Sequence, residues 1–159
     1  MKIIYPGSFD PITLGHLDIV ERISKKFDEV YIAILSNYKK QSLFTVDERI
    51  KIIEEACKDF NNVKVVAFSG LLVDFAKSID CKLIARGLRE VSDYEKEVQM
   101  ALMNRALDND METLFLVSNA KYSFVSSSII KEVISFGGDV ESFVPEAAYK
   151  MLKIKYLNK

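Results

Sequence analysis

The 159-residue sequence is poor in the residues that mark specialised classes of protein. It has no tryptophan, three prolines, six glycines, two cysteines and a single histidine. No apolar run approaches the roughly 20 residues that a transmembrane helix needs. A hydrophobic fraction of 49% and a charged fraction of 28% exclude disordered, collagen-like and coiled-coil chains. We therefore expect a single domain over residues 1–159.

An excess of charge of one sign is also missing. Twenty-two Lys and Arg residues stand against 23 Asp and Glu, a formal net charge of −1. Without a broad positive field, binding to nucleic acid or to an anionic membrane is not expected, but a few local cations can still hold a small phosphorylated ligand. Cys57 and Cys81 form no CxxC pair and have no metal-ligand spacing with His16. Two reduced thiols, and a start too short for a signal peptide, predict a cytoplasmic protein.

What the chain does contain is a regular alternation of short apolar runs with amphipathic segments. The predicted strands and helices, in chain order, are strands 3–5, 30–35, 63–68, 82–85 and 113–117, and helices 16–26, 45–56, 71–79, 92–107, 126–136 and 145–156. This order predicts an α/β fold, a doubly wound sheet of about five parallel strands with helices on both faces. Ligands of such sheets bind beyond the carboxyl ends of the strands, so each loop that follows a strand is a candidate site.

The first of these loops, residues 6–16, combines small residues with the only histidine. Gly7 lets the chain turn, Ser8 offers a hydroxyl, and Gly15 lets a ligand approach beside His16. We expect His16 at a helix N-terminus, where free N–H groups attract phosphate and where a positive imidazolium is disfavoured unless phosphate restores its proton. Neither a Walker motif nor GxGxxG occurs in the chain. The alternative is an ordinary packed or solvated histidine.

Cations follow two other predicted strands. Lys39 and Lys40 could reach a phosphate as mobile charges, or could be merely solubilising. The Arg-Gly-Leu-Arg segment 86–89 suits bidentate capture of phosphate oxygens. Its alternative is an ion pair with a nearby carboxylate such as Glu97, which could also orient an arginine or bind a ribose.

The last loop, residues 121–128, contains three consecutive serines before a helix. One serine at a helix start is an ordinary cap, but three exceed what a cap needs. They predict a second phosphate site, with Tyr122 available to stack against a base.

Three motifs together resemble a known family. Residues 6–16, PGSFDPITLGH, are similar to the [T/H]xGH motif of the nucleotidyltransferases related to class I aminoacyl-tRNA synthetases. RGLR at 86–89 and FVSSS at 124–128 more specifically resemble the bacterial phosphopantetheine adenylyltransferases. The resemblance implies a Rossmann-like fold and transfer of the adenylyl group of ATP to 4′-phosphopantetheine with Mg²⁺, giving dephospho-coenzyme A and pyrophosphate. It also implies a homohexamer and feedback inhibition by coenzyme A.

The same resemblance assigns roles to individual residues. His16 and Lys40 would be the catalytic donors, and no protein metal ligand is assigned. The substrate-binding residues would be Ser8, Lys40, Leu72 and Arg86. The nucleotide-binding residues would be Ser8, Phe9, His16, Gly87, Leu88, Arg89, Glu97, Tyr122, Ser123, Phe124, Val125, Ser126, Ser127 and Ser128.

Two departures from the superfamily pattern bear on the site. Thr13 stands where many relatives have a first histidine, and Lys131 where the serine motif usually continues to an arginine. The reaction needs alignment and neutralisation of charge more than proton transfer, so we expect direct in-line attack without a covalent intermediate. The alternatives are a related small-molecule nucleotidyltransferase, such as a cytidylyltransferase or a nicotinate mononucleotide adenylyltransferase, and a non-catalytic nucleotide or coenzyme A sensor.

Overall fold

A computed structural model describes residues 1–36, 41–89 and 91–157 of the chain, with no side-chain description for residues 91–93 and 157. The five strands are β1 (Lys2–Gly7), β2 (Glu29–Leu35), β3 (Val63–Phe68), β4 (Leu83–Leu88) and β5 (Glu112–Val117). The six helices are α1 (Leu14–Ser24), α2 (Val46–Ala56), α3 (Leu72–Ser78), α4 (Val91–Leu107), α5 (Ser127–Ser135) and α6 (Glu146–Leu157). Two short 3₁₀ turns at Ala120–Tyr122 and Glu141–Phe143 were not predicted from the pattern.

All pairings in the sheet are parallel, and the strand order is β3-β2-β1-β4-β5. The chain winds outward from β1 in one direction and then returns to β4 on its other side. This is the doubly wound α/β topology that the alternation predicts, and it makes the gap between β1 and β4 the place where a ligand is expected.

Both faces of the sheet are buried at its centre, where neighbouring residues of one strand enter different clusters. Ile3 and Tyr5 of β1 join a large cluster with residues of α1, α2, α5 and α6. Ile4 faces the opposite side and packs in a smaller cluster with Val73 and Ala76 of α3. Continuous apolar strands are therefore explained by cover on two sides.

The central strand pairs much less with β4 than with β2. β1 pairs with β2 through six successive residues, up to Gly7 opposite Ile34, whereas its pairing with β4 is Ile4 opposite Ile84. Pro6 has no N–H to offer a neighbouring strand. The opening in which the site lies is between the carboxyl ends of β1 and β4, beyond this single pairing.

Several predicted element ends were wrong. β1 continues through Pro6 and Gly7, since β2 pairs with both, and β4 includes Arg86 through Leu88 because it pairs with β5 over its whole length. Arg86 therefore belongs to a strand and not to the loop after it. α1 begins at Leu14 and ends at Ser24, two residues earlier at each end than the histidine-first pattern predicts.

Candidate active site

The first loop is rigidly joined to the start of α1. Thr13 is the N-cap of α1, and its hydroxyl accepts a hydrogen bond from the N–H of His16 at 3.3 Å. His16 occupies the third helical position and returns a contact to the N-cap, which is the reciprocal arrangement of a capping box. The expected place of His16 at a helix N-terminus is confirmed.

Thr13 also determines the tautomer of the His16 imidazole. The N–H of Thr13 donates to Nδ1 of His16 at 3.1 Å, and the Thr13 hydroxyl lies 3.0 Å from the same nitrogen. Because a backbone N–H can only donate, Nδ1 is the acceptor nitrogen and the proton of the neutral ring is on Nε2. The residue that replaces the first histidine of many relatives is thus a partner of the remaining one.

Burial, together with the smaller effect of the positive charges of Arg89 and Arg86, lowers the pKa of His16 from its usual 6.5 to about 3. The prediction of a neutral histidine agrees with this direction, but the causes are desolvation and the two arginines and not the helix start on which the prediction rested. The ring is edge-on to Phe9, with centroids 5.2 Å apart. His16 is therefore a neutral Nε2–H donor at physiological pH.

Gly7 serves close packing at the end of β1. A Cβ at this position would lie 2.9 Å from the ring of Phe9, which is buried and has a positive φ of 45°. The prediction that Gly7 makes a turn was wrong, because the residue is extended and pairs with β2. Its missing side chain makes room for the Phe9 ring.

Asp10 joins the first loop to two other segments. Its carboxylate is buried and accepts hydrogen bonds from the N–H groups of Leu43 and Phe44, both at 2.9 Å. Lys131 of α5 donates to the same carboxylate at 3.0 Å. The lysine that stands in the place of an arginine in many relatives is therefore the counter-ion of Asp10.

The starts of α1 and α5 lie side by side. Ser127 donates from its hydroxyl to the carbonyl of Pro11 at 2.8 Å, and a Cβ added to Gly15 would lie 3.3 Å from Cβ of Tyr122. Ser126 is the N-cap of α5, because its hydroxyl accepts from the N–H of Ile129. The two predicted phosphate-binding helix starts are brought together as expected.

Two arginines occupy the opening between β1 and β4. Arg86 makes a two-pronged ion pair with Glu97 of α4, with both N···O distances at 2.5 Å, and donates to the carbonyl of Pro6 at 2.7 Å. Arg89 donates to the carbonyl of Val125 at 2.9 Å. The ion-pair alternative for Arg86 is present, and Glu97 is the carboxylate that orients it.

Two cavities meet at this opening and share a wall. The first has a volume of about 190 Å³ and is lined by polar and charged groups, among them His16, Arg86 and Arg89. The second, of about 440 Å³, is lined mainly by apolar side chains of β2, α3 and α4. Both are bordered by the same five residues, which are Pro6, Gly7, Ser8, Arg86 and Glu97.

About half of the predicted nucleotide-binding residues line the polar cavity: Ser8, Phe9, His16, Gly87, Arg89, Glu97 and Val125. Ser8, Leu72 and Arg86, predicted to bind the second substrate, line the apolar cavity. In the described part of the chain, the lining of the two cavities does not include Leu88, Tyr122, Ser123, Phe124, Ser126, Ser127 or Ser128. Lys40 lies outside the described residues.

The hydroxyls of this outlying set have differing partners. Ser123 and Ser127 donate to carbonyl oxygens, those of Ala120 and Pro11, and Ser126 caps α5. Ser128 is exposed at the start of the helix. Of the three consecutive serines, two are therefore engaged in holding the loop itself.

Three residues at the site were not singled out as functional: Asp10, Arg49, and Thr13 as a partner of His16. Arg49 on α2 is 4% exposed and donates to the carbonyl of Ser8 at 2.7 Å. No local pattern marks it, since it looks like one more charge of an amphipathic helix. Asp10 and Thr13 lie in the motif itself, so their polarity beside His16 was the available signal.

Comparison with known proteins places this geometry in a family. The family model described as cytidylyltransferase-like matches residues 4–133. The chain is 52% identical over 158 residues to the phosphopantetheine adenylyltransferase of Finegoldia magna, covering 99% of this chain and 98% of that one. It is 56% identical over 147 residues to that of Clostridium novyi, covering 92% and 91%. This chain belongs to the phosphopantetheine adenylyltransferase family.

A solved structure extends the comparison to the fold. The nicotinic acid mononucleotide adenylyltransferase of Plasmodium falciparum, complexed with NaAD, superimposes with a TM-score of 0.69. It is 16% identical, with 98% of this chain and 95% of that chain covered. At that identity the likeness concerns the fold of the family and not its substrates. The family resemblance and the Rossmann-like fold predicted from the sequence are confirmed.

Two further features of the described residues concern membranes and metals. No described helix is both long and apolar enough to span a membrane. Within residues 1–36, 41–89 and 91–157, no three His, Cys, Asp or Glu side chains are grouped so that they could hold a metal ion. Glu97, the carboxylate that lines both cavities, is already paired with Arg86.

Proposed function

We propose that this enzyme transfers the adenylyl group of ATP to 4′-phosphopantetheine, giving dephospho-coenzyme A and pyrophosphate in coenzyme A biosynthesis. The observation that carries the proposal is the pair of cavities with one shared wall, a polar one beside His16 and an apolar one beside Leu72. A triphosphate is polyanionic, whereas a pantetheine arm is long and only weakly polar. The two cavities match these two chemistries and meet where the phosphates must react.

Within this proposal, the shared wall is the reaction centre. Ser8 and Arg86 border both cavities and are therefore able to touch both substrates. Arg86 is held by Glu97 and by the carbonyl of Pro6, so its guanidinium is oriented before any ligand arrives. Such preorganisation lowers the barrier to a reaction whose main obstacles are charge repulsion and alignment.

The chemical step is direct in-line attack of the acceptor phosphate on the α-phosphorus of ATP, with pyrophosphate leaving and no covalent enzyme intermediate. His16 donates its Nε2 proton in a hydrogen bond to a phosphoryl oxygen that gains charge in the transition state, and keeps that proton throughout. Its neutral state suits this role, because a neutral donor needs no counter-charge. Lys40 stays assigned as the second donor by its place in the family motif.

We propose that the N-terminal end of α5 binds the triphosphate of ATP. Ser128 is exposed there, whereas Ser127 holds the carbonyl of Pro11, so we assign the direct contact with pyrophosphate to Ser128 and a supporting role to Ser127. Tyr122 packs beside Gly15, which supports a role in shaping the nucleotide site. The remaining predicted contacts, at Leu88, Ser123, Phe124 and Ser126, stay proposals that rest on the motif.

The proposal includes Mg²⁺ as an ion that binds together with the substrate phosphates. The described residues contain no cluster of ligands that fits the ion, and Glu97 is committed to Arg86. Mg²⁺ often keeps several waters and is held mostly by substrate phosphates. We therefore assign it no protein ligand and no separate step.

We also propose a cytoplasmic homohexamer inhibited by coenzyme A. Large apolar side chains on the surface, such as Leu102, Val117 and Phe136 at 60%, 72% and 84% exposure, support association of subunits. Coenzyme A carries a pantetheine arm and an adenine nucleotide in one molecule, so it would occupy both cavities at once. Native mass spectrometry and a competition assay with ATP test these two properties.

The function is tested by mass spectrometry of the products formed from ATP and 4′-phosphopantetheine. Dephospho-coenzyme A and one equivalent of pyrophosphate are expected. CTP in place of ATP, and nicotinate mononucleotide or an alcohol phosphate in place of the acceptor, should give at most trace product. Turnover with one of those substitutes would indicate a sibling nucleotidyltransferase, and tight nucleotide binding without any pyrophosphate release would indicate a sensor.

A further inference from the structure

Arg49 is a buried cation at the boundary of the two cavities. It lies on α2, is 4% exposed, and lines the apolar cavity together with Ser8 and Arg86. Its Nη1 donates to the carbonyl of Ser8 at 2.7 Å and its Nε to the carbonyl of Thr45 at 3.4 Å. The side chain thus reaches from α2 to the end of β1.

The charge of Arg49 has no carboxylate partner among the residues that the structure describes. Both of its hydrogen-bond acceptors in that part of the chain are neutral carbonyl oxygens. Burying a cation in this way is unfavourable unless an anion accompanies it. A binding site for an anion resolves this imbalance.

The second terminal nitrogen, Nη2, is the group left for a ligand. It makes no hydrogen bond to any described residue, yet no described buried side-chain nitrogen or oxygen lacks a partner. Nη2 is therefore not sealed inside the protein, and Arg49 is one of the residues that line the apolar cavity. In a cavity lined mainly by apolar side chains, this nitrogen is a site for a charged group.

Arg86 provides the contrast. It lines the same cavity, but its guanidinium is neutralised by the two-pronged pair with Glu97. Both arginines hold the end of β1, Arg86 through the carbonyl of Pro6 and Arg49 through that of Ser8. The two guanidiniums therefore converge on one three-residue segment. Arg86 has a carboxylate partner there, whereas no described carboxylate pairs with Arg49.

We propose that Arg49 binds the phosphate group of the acceptor substrate and supplies the positive charge that holds it at the wall between the cavities. This assignment rests on the proposed function, because it takes the acceptor to be a phosphate monoester with a long, weakly polar tail. The tail fills the apolar cavity and its phosphate meets Nη2 of Arg49 beside Ser8. Guanidinium groups suit this task, since they bind phosphate oxygens in a fixed geometry.

The test compares 4′-phosphopantetheine with pantetheine, which lacks the phosphate, in calorimetric titrations of Arg49→Gln, Arg49→Lys and the wild type. Arg49→Gln should weaken binding of 4′-phosphopantetheine about 10- to 100-fold, the value of one charge-assisted contact. Its affinity for pantetheine, and its KM for ATP, should stay within about twofold of the wild type. Arg49→Lys keeps the positive charge but lacks the two terminal nitrogens of the guanidinium, so it should recover part of the lost affinity for 4′-phosphopantetheine.

Lys51→Gln is the matched control, because it removes one positive charge from an exposed position on the same helix. It should leave both affinities unchanged. Equal weakening of 4′-phosphopantetheine and pantetheine by Arg49→Gln would overturn the proposal and make Arg49 a support for Ser8 alone. Undiminished binding of 4′-phosphopantetheine would overturn it as well.

Should Arg49→Gln fail to fold, the wild type itself provides the test. The guanidinium ¹⁵N resonances of Arg49, assigned by their loss in Arg49→Lys, should shift on addition of 4′-phosphopantetheine and not of pantetheine. Absence of a selective shift would contradict the proposal. Wild-type turnover is measured separately, so failure of the adenylyl transfer itself is distinguished from failure of the Arg49 assignment.

Discussion

The two cavities share a wall but are built by different means. Around the polar cavity, the three side chains with ring or guanidinium nitrogens are held by neighbours: His16 by Thr13, Arg86 by Glu97, and Arg89 by the carbonyl of Val125. Around the apolar cavity, several lining side chains are apolar and exposed, such as Leu71 and Met103. The difference indicates that the polar cavity holds the reacting groups in fixed positions. The apolar cavity instead binds its ligand through buried apolar surface, and its side chains can adjust to that ligand.

The largest effect is expected from loss of the fixed donor. His16→Ala should lower turnover about 10²- to 10³-fold, the usual loss for one transition-state donor, and change KM for either substrate by less than about threefold. Steady-state kinetics with both substrates measure this, with a thermal melt as the control for folding. A variant with near-normal turnover would remove His16 from the mechanism.

A smaller loss of turnover should follow when His16 is kept but its partner Thr13 is changed. Thr13→Val removes the hydroxyl contact with Nδ1 and the cap of α1, but the backbone N–H of residue 13 still reaches the ring. Turnover should fall about tenfold, and stability by about 1 kcal/mol from the lost cap. Thr13→Ser restores the hydroxyl and should recover both, whereas a stability loss with unchanged turnover would limit Thr13 to its structural role.

On the apolar side the effect should fall on binding alone. Leu72→Ala removes part of a half-buried apolar side chain, worth about 1 kcal/mol, so KM for 4′-phosphopantetheine should rise about fivefold with turnover unchanged. Ile154→Ala is the control, because Ile154 is exposed and lines neither cavity. A fall in turnover in Leu72→Ala would contradict the separation of binding by the apolar cavity from catalysis by the polar cavity.

The smallest effect concerns the protonation of His16. Its pKa is about 3 in the folded protein and 6.5 when unfolded, so the unfolded state binds the proton first as the pH falls. This histidine therefore contributes stability that is present above pH 6.5 and is lost progressively down to about pH 3. Relative to His16→Gln, the wild type should lose up to about 0.8 kcal/mol between pH 8 and pH 6.

Denaturant unfolding of both proteins at the two pH values measures the difference. Equal pH dependence in the two would mean that the ring titrates as it does in water. The polar cavity would then lack the desolvated character that distinguishes it from an ordinary surface cleft.

The sequence predicts the fold well and the internal partners of the site poorly. Alternation of apolar runs with amphipathic segments is a local signal, and it located all five strands and six helices. The sequence pattern wrongly predicts Arg86 in a loop, because a glycine after an arginine is typical of a strand end. Only the pairing with β5 shows that β4 continues through Leu88. Ends that depend on a partner strand are not visible in a local pattern.

The same reason explains what was missed at the site. The motif located His16, but the contacts between Asp10 and Lys131 join residues 121 positions apart. Arg49 meets Ser8 across 41 positions, from a helix whose pattern shows only that it is amphipathic. Such pairs follow from how the segments pack together, and a single sequence does not indicate which charge will face which carbonyl.

The sparse pairing of β1 with β4 has a consequence for how this enzyme can change. That pairing is a feature of the main chain, whereas the apolar border of the site is built from side chains. Substitutions along the apolar border can then select a different tail on the acceptor while the phosphates keep meeting at the same place. New specificity within this scaffold is thus open to point mutation without rebuilding the reaction centre.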